Sequence, residues 1–461
     1  MKLLRTLIVC SALSTLSACA NLQTAFDTPD KVSPVIRLEE QQRWWNVYQD
    51  PLMNPLINQL LEQNLDIQIA QTRIAESRGI LRGSNAGFFP DISLNGNAQR
   101  SNRQIGFDKS VTITQGGFDA KWELDVFGQT AATVDAAESR VQSRIAGSQD
   151  VTNSVIAELI RAVIRYRQAE ETLVETQALL KTQDEQVELL AARANAGLID
   201  TSFASRAEAE RDQTATRLPQ AQAAKDAAQY QIERLLGKAS GTMGETLSSS
   251  PAPLTVPDVN PALNLSLDVM RERPDIRAAR ADLLAAQADV TSAERDLWPR
   301  ISVGAFFGVQ DSPNAVRIAE NPIWSLASGI AMPLLNFGRL QGAVDASNAR
   351  AKAASLTYEN ASLSALQETK TALSDYLNGI NAVAKQESAL KRRKETVGYA
   401  SARFKQGLTD MTDLTTAQSE LNSATLLLID RKADAAIAYA RLQKALGVSV
   451  HAVPEKGERV E

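Results

Sequence analysis

"GFFPDISLNG" occupies residues 87–96 and "DLWPRISVGA" occupies residues 296–305. Each stretch passes from an aromatic through a proline and a charged residue into Ile-Ser, and then into alternating apolar and polar residues. Such a step does not arise twice by accident, and its surroundings repeat with it. Asp66-Ile67 matches Asp275-Ile276, and Phe89-Pro90 matches Trp298-Pro299, at a shift of 209 residues. Phe127-Gly128 matches Phe337-Gly338, Gly197-Leu198 matches Gly407-Leu408, and Leu236-Gly237 matches Leu446-Gly447, at a shift of 210. One added residue over that distance means an internal duplication in which every element keeps its length.

Each copy reads as helix, two strands, long helix, tight turn, helix. In the first copy Asp50-Pro51 caps and starts a short helix. A second helix follows from about Asp66 to Ala86, and Pro90 breaks its period. Ile92, Leu94 and Ala98 then alternate with Asp91, Ser93 and Asn97, the pattern of a half-buried strand. Phe118, Ala120, Trp122 and Leu124 alternate with Asp119, Lys121, Glu123 and Asp125 in the second strand. The second copy supplies Ile301, Val303, Ala305 and Phe307, then Trp324, Leu326, Ile330 and Met332. Its last strand carries Ser325, Ala327 and Gly329 on the opposite face, which suits a crowded contact. The first copy is expected at 51–237, with strands at about 88–104 and 111–126. A linker at 238–264 separates it from the second copy at 265–447, with strands at about 298–310 and 322–336. Residues 19–50 form an N-terminal extension and 448–461 a tail.

Long proline-free tracts follow the strands. From Thr130 to Asn195 no proline occurs, and a continuous helix of that length reaches roughly 100 Å. Ile145, Thr152, Leu159, Tyr166, Leu173, Leu180 and Val187 fall at seven-residue steps, a coiled-coil stripe. Tyr376, Val383, Leu390 and Val397 occupy the matching places in the second copy.

Composition narrows the function. The chain has 461 residues and a net charge of −5, and no Lys/Arg block exceeds four residues, so nucleic-acid binding has no electrostatic footprint. The one histidine, His451, sits in the tail; histidine metal clusters and Ser-His-Asp chemistry are therefore not expected. Both cysteines, Cys10 and Cys19, lie in the first twenty residues. Lys2 and Arg5 precede the short apolar stretch "LIVCSALSTLSA", the design of a signal peptide over 1–18. Leu16-Ser17-Ala18-Cys19 resembles the lipobox of bacterial lipoproteins, in which the cysteine is acylated and becomes the new N-terminus. No run of about 20 apolar residues exists to cross a bilayer as a helix.

The aromatics Phe88, Phe89, Phe118, Trp122, Trp298, Phe306, Phe307 and Trp324 border or occupy the strands, whereas the long helices are nearly free of them. Aromatic girdles mark the two lipid interfaces of a membrane β-barrel, and Phe89, Trp122, Trp298 and Trp324 are the expected interface residues. Four strands cannot close a barrel, and lipid tolerates no open sheet edge. Two chains would give eight strands and a filled interior; three give twelve strands and a lumen. The expected fold is mainly α with a transmembrane β part: a trimer whose 12-stranded barrel is continued by an α-helical barrel.

The chain resembles the TolC-like outer-membrane factor family, in its lipoprotein (efflux, NodT-type) branch, from Cys19 to about Gly447. The resemblance is carried by Trp44-Trp45, Asp50-Pro51-Leu52, Leu65-Asp66-Ile67, Phe89-Pro90 and "RFKQGLTDMTDLTTAQSEL" (403–421). It implies a homotrimer anchored in the outer membrane and extending into the periplasm of a Gram-negative bacterium. It further implies docking to a periplasmic adaptor and an inner-membrane efflux pump, with drugs or other toxic compounds passing out through a passive duct. No enzymatic activity and no cofactor are implied beyond a lipid on Cys19. In that family the linker and the C-terminal residues wrap the helical cylinder as an equatorial belt.

The tight turns form the expected working end. "ANAGLID" (194–200) and "FKQGLTD" (404–410) place Gly197 and Gly407 where the chain reverses, suited to left-handed caps. Asp200 and Asp410 stand at the start of the next helix, where a carboxylate caps free amides. Asp413 lies three residues beyond Asp410, on a similar face. By resemblance it matches an acidic position of the family's periplasmic aperture, while Thr416 occupies a place that is often acidic there. A ring of three carboxylates would attract cations and repel itself. Other readings are a protein-secretion duct, a coiled-coil envelope lipoprotein without a pore, or a periplasmic adaptor. The paired strands argue against the spacer, and the complete duplication against the adaptor.

Overall fold

A computed structural model describes residues 43–101, 111–258, 271–311, 322–409 and 411–447. The signal peptide, Cys19 with its lipobox, Asp410, the last residues of the linker (259–264) and the tail lie outside the described residues. A 3-10 turn at Trp44–Tyr48 precedes α1 (Met53–Gln63), α2 (Leu65–Ala86), β1 (Asp91–Ser101) and β2 (Val111–Leu124). Then come α3 (Gln129–Asn195), α4 (Thr201–Ala215), α5 (Arg217–Leu235) and the short α6 (Gly244–Ser248). The second half supplies α7 (Pro274–Arg295), β3 (Arg300–Asp311), β4 (Ile323–Ala331), α8 (Arg339–Lys405) and α9 (Met411–Ala445). The long helices α3 and α8 each have 67 residues.

The strands form one antiparallel sheet in the order β1-β2-β3-β4. Leu94 faces Phe118, Phe118 faces Phe307, and Phe307 faces Trp324. The strands depart from the expected limits by a few residues, β3 running one residue past to Asp311, and several ends have local reasons. Before β1, Phe88 and Phe89 still donate to Asn85 and Ala86 at 3.1 and 3.0 Å and complete the last turn of α2. Before β3, Trp298 does the same to Arg295 at 3.0 Å. β2 stops at Leu124 because Asp125 turns to cap α3, accepting from the Thr130 and Ala131 amides at 2.9 and 2.8 Å. β4 ends at Ala331, well short of 336. Its partner β3 begins at Arg300, opposite Ala331, and Pro333 has no N–H to offer a ladder. The crowding expected on the small-residue face of β4 is not met within one chain, where that strand is exposed on both faces beyond Ile323.

Helix α3 is the pillar. Thr152, Leu159 and Tyr166 of its heptad stripe are buried, while Ile145, Leu173, Leu180 and Val187 are half-buried. Burial between 152 and 167 runs nearly all the way round, and α1, α2, α5, α7 and α9 all pack against α3 along its length. The helix expected after the first turn is two helices, α4 and α5, with a break at Thr216. Pro219 explains the break: it cannot donate to Ala215, and its ring displaces that carbonyl. The matching α9 has no proline and runs unbroken. There Ala433, Ala435, Ala436, Ala438 and Ala440 are buried, and a Cβ on Gly379 would lie 3.2 Å from Ala435, so α8 and α9 touch nearly backbone to backbone.

Midway along the helices, buried polar groups hold the crossing segments. Arg167 grips Asp50 through Nε and Nη2 at 2.8 and 3.2 Å and donates to the Ser250 carbonyl at 2.5 Å. Asp50 was expected to cap α1; the N-cap is Leu52, and Asp50 instead closes the preceding turn by accepting from the Leu52 amide at 2.9 Å. Glu233 is buried yet accepts from the amides of Gly241 and Met243 at 2.6 and 2.7 Å. Burial alone would raise its pKa, but the Met243 amide, the Gln229 side chain and the Gly241 amide hold it below the ordinary value. Tyr48, Tyr376 and Tyr439 cluster beside them, with Tyr48 and Tyr376 donating to the carbonyls of Ala436 and Pro257, each at 2.7 Å.

The sheet has one point of extreme proximity. A Cβ on Gly117 would lie 2.5 Å from the Phe307 carbonyl oxygen and 2.6 Å from Gly308 Cα, and the Phe306 ring covers the same spot at 2.8 Å. These are backbone atoms of a paired strand and have no room to yield. Gly308→Val is therefore expected to break β2–β3 pairing, read as loss of amide-exchange protection in both strands while the helices keep theirs.

Candidate functional site: the sheet and the helix tips

Pairing sorts the strand residues onto two faces. One face carries Ile92, Leu94, Phe118, Trp122, Val303, Phe307, Leu326 and Ile330, of which Leu94, Leu326 and Ile330 are 69, 70 and 74 % exposed. The other carries Asp91, Ser93, Asn95, Asp119, Lys121, Glu123, Arg300 and Ser302, together with the apolar Ile113, Ile323 and Phe306, the last over the glycine pair. Polar groups on that face bond one another: Asn95 donates to Asp119 at 2.7 Å, and Arg300 lies 3.6 Å from Glu123. An apolar face of this extent is far larger than isolated exposed residues require. Backed by a polar face, it is the arrangement of a sheet between lipid and water. Strand β3, with 12 residues, spans ~40 Å along its length, or about 28 Å at a 45° tilt, close to the ~25 Å apolar band of membrane barrels.

The expected interface aromatics fall at the two ends of this face. Phe89, Trp122 and Trp298 stand at the end next to the helices. Trp122 Nε1 donates to the Phe88 carbonyl at 3.0 Å, and the Trp298 ring stacks on Phe127 at 5.5 Å. Trp324 stands at the opposite end, paired with Phe307. Among the described residues no helix is long and apolar enough to cross a membrane.

At the far end of the long helices, two equivalent turns close. Gly197 and Gly407 have φ of +70° and +71°. Leu198 and Leu408 donate back to Arg193 and Arg403 at 3.0 Å each, and the glycine amides donate to Ala194 and Phe404 at 2.9 and 3.0 Å, a doubly bonded left-handed cap. Asp200 caps α4 by accepting from the Ser202 amide at 2.8 Å; the Ser202 side chain and amide lower its pKa. Leu198 and Leu408 are exposed at both tips.

The two tips pack on each other through Leu190, Ala204, Ala207, Met411 and Leu414, flanked by Phe203 and Phe404. The Arg193 guanidinium lies 5.7 Å from the Phe404 ring. Behind the tips the hairpins part around a groove of about 540 Å³, lined by polar residues such as Glu175, Gln186 and Lys394 and by apolar ones such as Leu179, Leu390 and Ile429. Asp413 and Thr416 share an exposed face of α9, opposite buried Met411, Leu414 and Ala417. The hydrophobic tip cluster and the aromatic cluster at mid-length were missed in the sequence. The only available signal was Phe203 and Phe404 standing near the turns of otherwise Ala- and Gln-rich helices.

Comparison with known proteins agrees with this geometry. The model of the outer membrane efflux protein family matches residues 56–238 and 265–448, about four-fifths of the chain in two successive blocks. Nodulation protein T of Rhizobium leguminosarum bv. trifolii is 27% identical, over 90% of this chain and 89% of that protein. The toluene efflux pump outer membrane protein TtgI of Pseudomonas putida is 26% identical over 87% and 86%. Among solved structures, the outer-membrane channel OprN superposes with a TM-score of 0.82 at 28% identity, covering 92% of this chain and 98% of that one. VceC from Vibrio cholerae, at 23% identity, a TM-score of 0.78 and coverage of 88% and 98%, shares the fold. Proteins of this kind are channels that need no cofactor. The chain belongs to the outer membrane efflux protein family.

Proposed function

We propose that the protein is the outer-membrane duct of a tripartite efflux system. Three copies enclose a 12-stranded barrel that continues into a helical cylinder and carries small organic solutes outward. The observation that carries this reading is the four-stranded sheet, apolar on one face, polar on the other and unpaired at both edges, mounted on helices about 100 Å long. A coiled-coil spacer would need no such sheet. A toluene efflux component among the relatives favours small solutes as cargo. Energy comes from an inner-membrane pump reached through a periplasmic adaptor, and a lipid on Cys19 adds a second anchor.

The tips are the docking and gating end in this reading. Exposed Leu198 and Leu408 offer equivalent apolar knobs to the adaptor. Asp413 of each copy faces the axis, with Thr416 one turn behind it, so three carboxylates ring the aperture and favour cations. The buried tip cluster holds that aperture narrow at rest.

In planar bilayers the purified protein is expected to show small, cation-preferring conductance, and Asp413→Ala to lower the cation preference severalfold. Unchanged selectivity in an inserted channel would remove Asp413 from the axis. Leu198→Glu with Leu408→Glu is expected to cut site-specific cross-linking to the adaptor about tenfold while conductance persists. Cys19→Ser is expected to abolish incorporation of labelled palmitate, with the β-barrel still inserting.

A further inference from the structure

The groove behind the tips lies between two hairpins of one chain, α3–α4 and α8–α9. Apolar clusters stand at its two ends, Leu190 with Met411 and Leu414 toward the tips, and Val383 with Leu428 and Ala435 toward mid-length. Its volume of about 540 Å³ falls within the roughly 300–1,000 Å³ of small-molecule sites.

The lining has a definite chemistry. Leu179, Leu390, Leu421 and Ile429 make aliphatic walls, and no aromatic ring lines the groove among the described residues. Glu171, Glu175 and Glu210 set three carboxylates against the one ammonium of Lys394. Glu175, Glu210 and Lys394 form no ion pair among the described residues. Glu171 and Glu175 stand about one turn apart on α3, where like charges repel. Burial first, and the Glu175 charge beside it, raise the Glu171 carboxyl above its ordinary value, although Lys432 lowers it. Farther along, Gln183 Oε1 and Gln186 Nε2 are buried with no hydrogen-bond partner. Buried amide groups cost free energy when unpaired, so these two point to a polar group that meets them inside the groove.

From Glu175 to Gln186 the helix rises about 16 Å. Along that path an occupant meets two carboxylates, then aliphatic walls broken by Thr182, Asn422 and Thr425, then the Gln183 carbonyl and Glu210. Turned over, the Gln186 amide presents its oxygen there as well. Ammonium groups spaced by methylene chains match this order. An aromatic cation would find no ring to stack on, and an anion would face the three carboxylates. We propose that the groove is a binding site for a linear aliphatic polyamine, with one terminal ammonium between Glu171 and Glu175 and the other beside Gln183 and Glu210. One chain supplies every wall, so the site stands independently of the trimer and of conductance.

Isothermal titration calorimetry of spermine into the purified full-length protein, in an uncharged detergent, tests this site. Saturable binding is expected, with one spermine per chain. Glu171→Gln/Glu175→Gln is expected to weaken it about tenfold, since charge-assisted hydrogen bonds to the ammonium are lost. Lys394→Gln removes the cation that opposes the ligand and is expected to tighten binding severalfold, a gain that misfolding cannot imitate. Glu188→Gln/Glu208→Gln makes the same charge change on exposed positions of α3 and α4 outside the groove, and is expected to leave affinity unchanged. Equal weakening by the two double variants would mark diffuse surface attraction and overturn the site. Absence of saturable binding, or weaker binding by Lys394→Gln, would overturn it too. Each of these results leaves the channel reading standing, because that reading is tested by conductance.

Discussion

A sheet edge cannot be left open in hydrocarbon. Each unpaired N–H and C=O costs several kcal/mol there, with no water to supply the missing bond. The sheet described here has an apolar face suited to lipid and two free edges, at β1 and β4. Its architecture is therefore incomplete as one chain, and almost everything else about the molecule follows from how it is completed.

Duplication gives the chain two matching halves. The helices α3 and α8 are equal in length, so the two halves reach the same depth at both ends. The halves nevertheless differ where their surroundings differ. Pro219 divides the first returning helix at Thr216, while α9 stays whole. Arg167, Glu233 and the tyrosine cluster secure the segments that cross the helices at mid-length, and their buried hydrogen bonds fix a geometry that apolar packing alone would leave free to slide. At the far end the hairpins meet through apolar side chains around Leu190, Met411 and Leu414. A contact of that kind separates without leaving buried charges behind.

Much of this was legible in the sequence because it is periodic. The repeat located the strands through Phe89-Pro90 and Trp298-Pro299, and the absence of proline marked the long helices. Glycine at 197 and 407 announced left-handed caps, since few other residues accept that conformation. What the sequence did not disclose depends on contacts between distant segments. Nothing near Asp50 indicates that Arg167 will hold it, or that Tyr48 will reach the Ala436 carbonyl. The length of β4 was misjudged for an instructive reason: alternation continues through Met332 and Leu334, but a strand exists only where a partner runs beside it. At the candidate site, the two reversing glycines and the Asp200 cap were visible in the sequence, whereas the cluster joining the two tips required the fold.

The measurement that tests the central claim most directly is the mass of the intact assembly released gently from detergent micelles in native mass spectrometry. Three chains would agree with a closed 12-stranded barrel. A monomer, or a dimer whose eight strands leave no lumen, would contradict it.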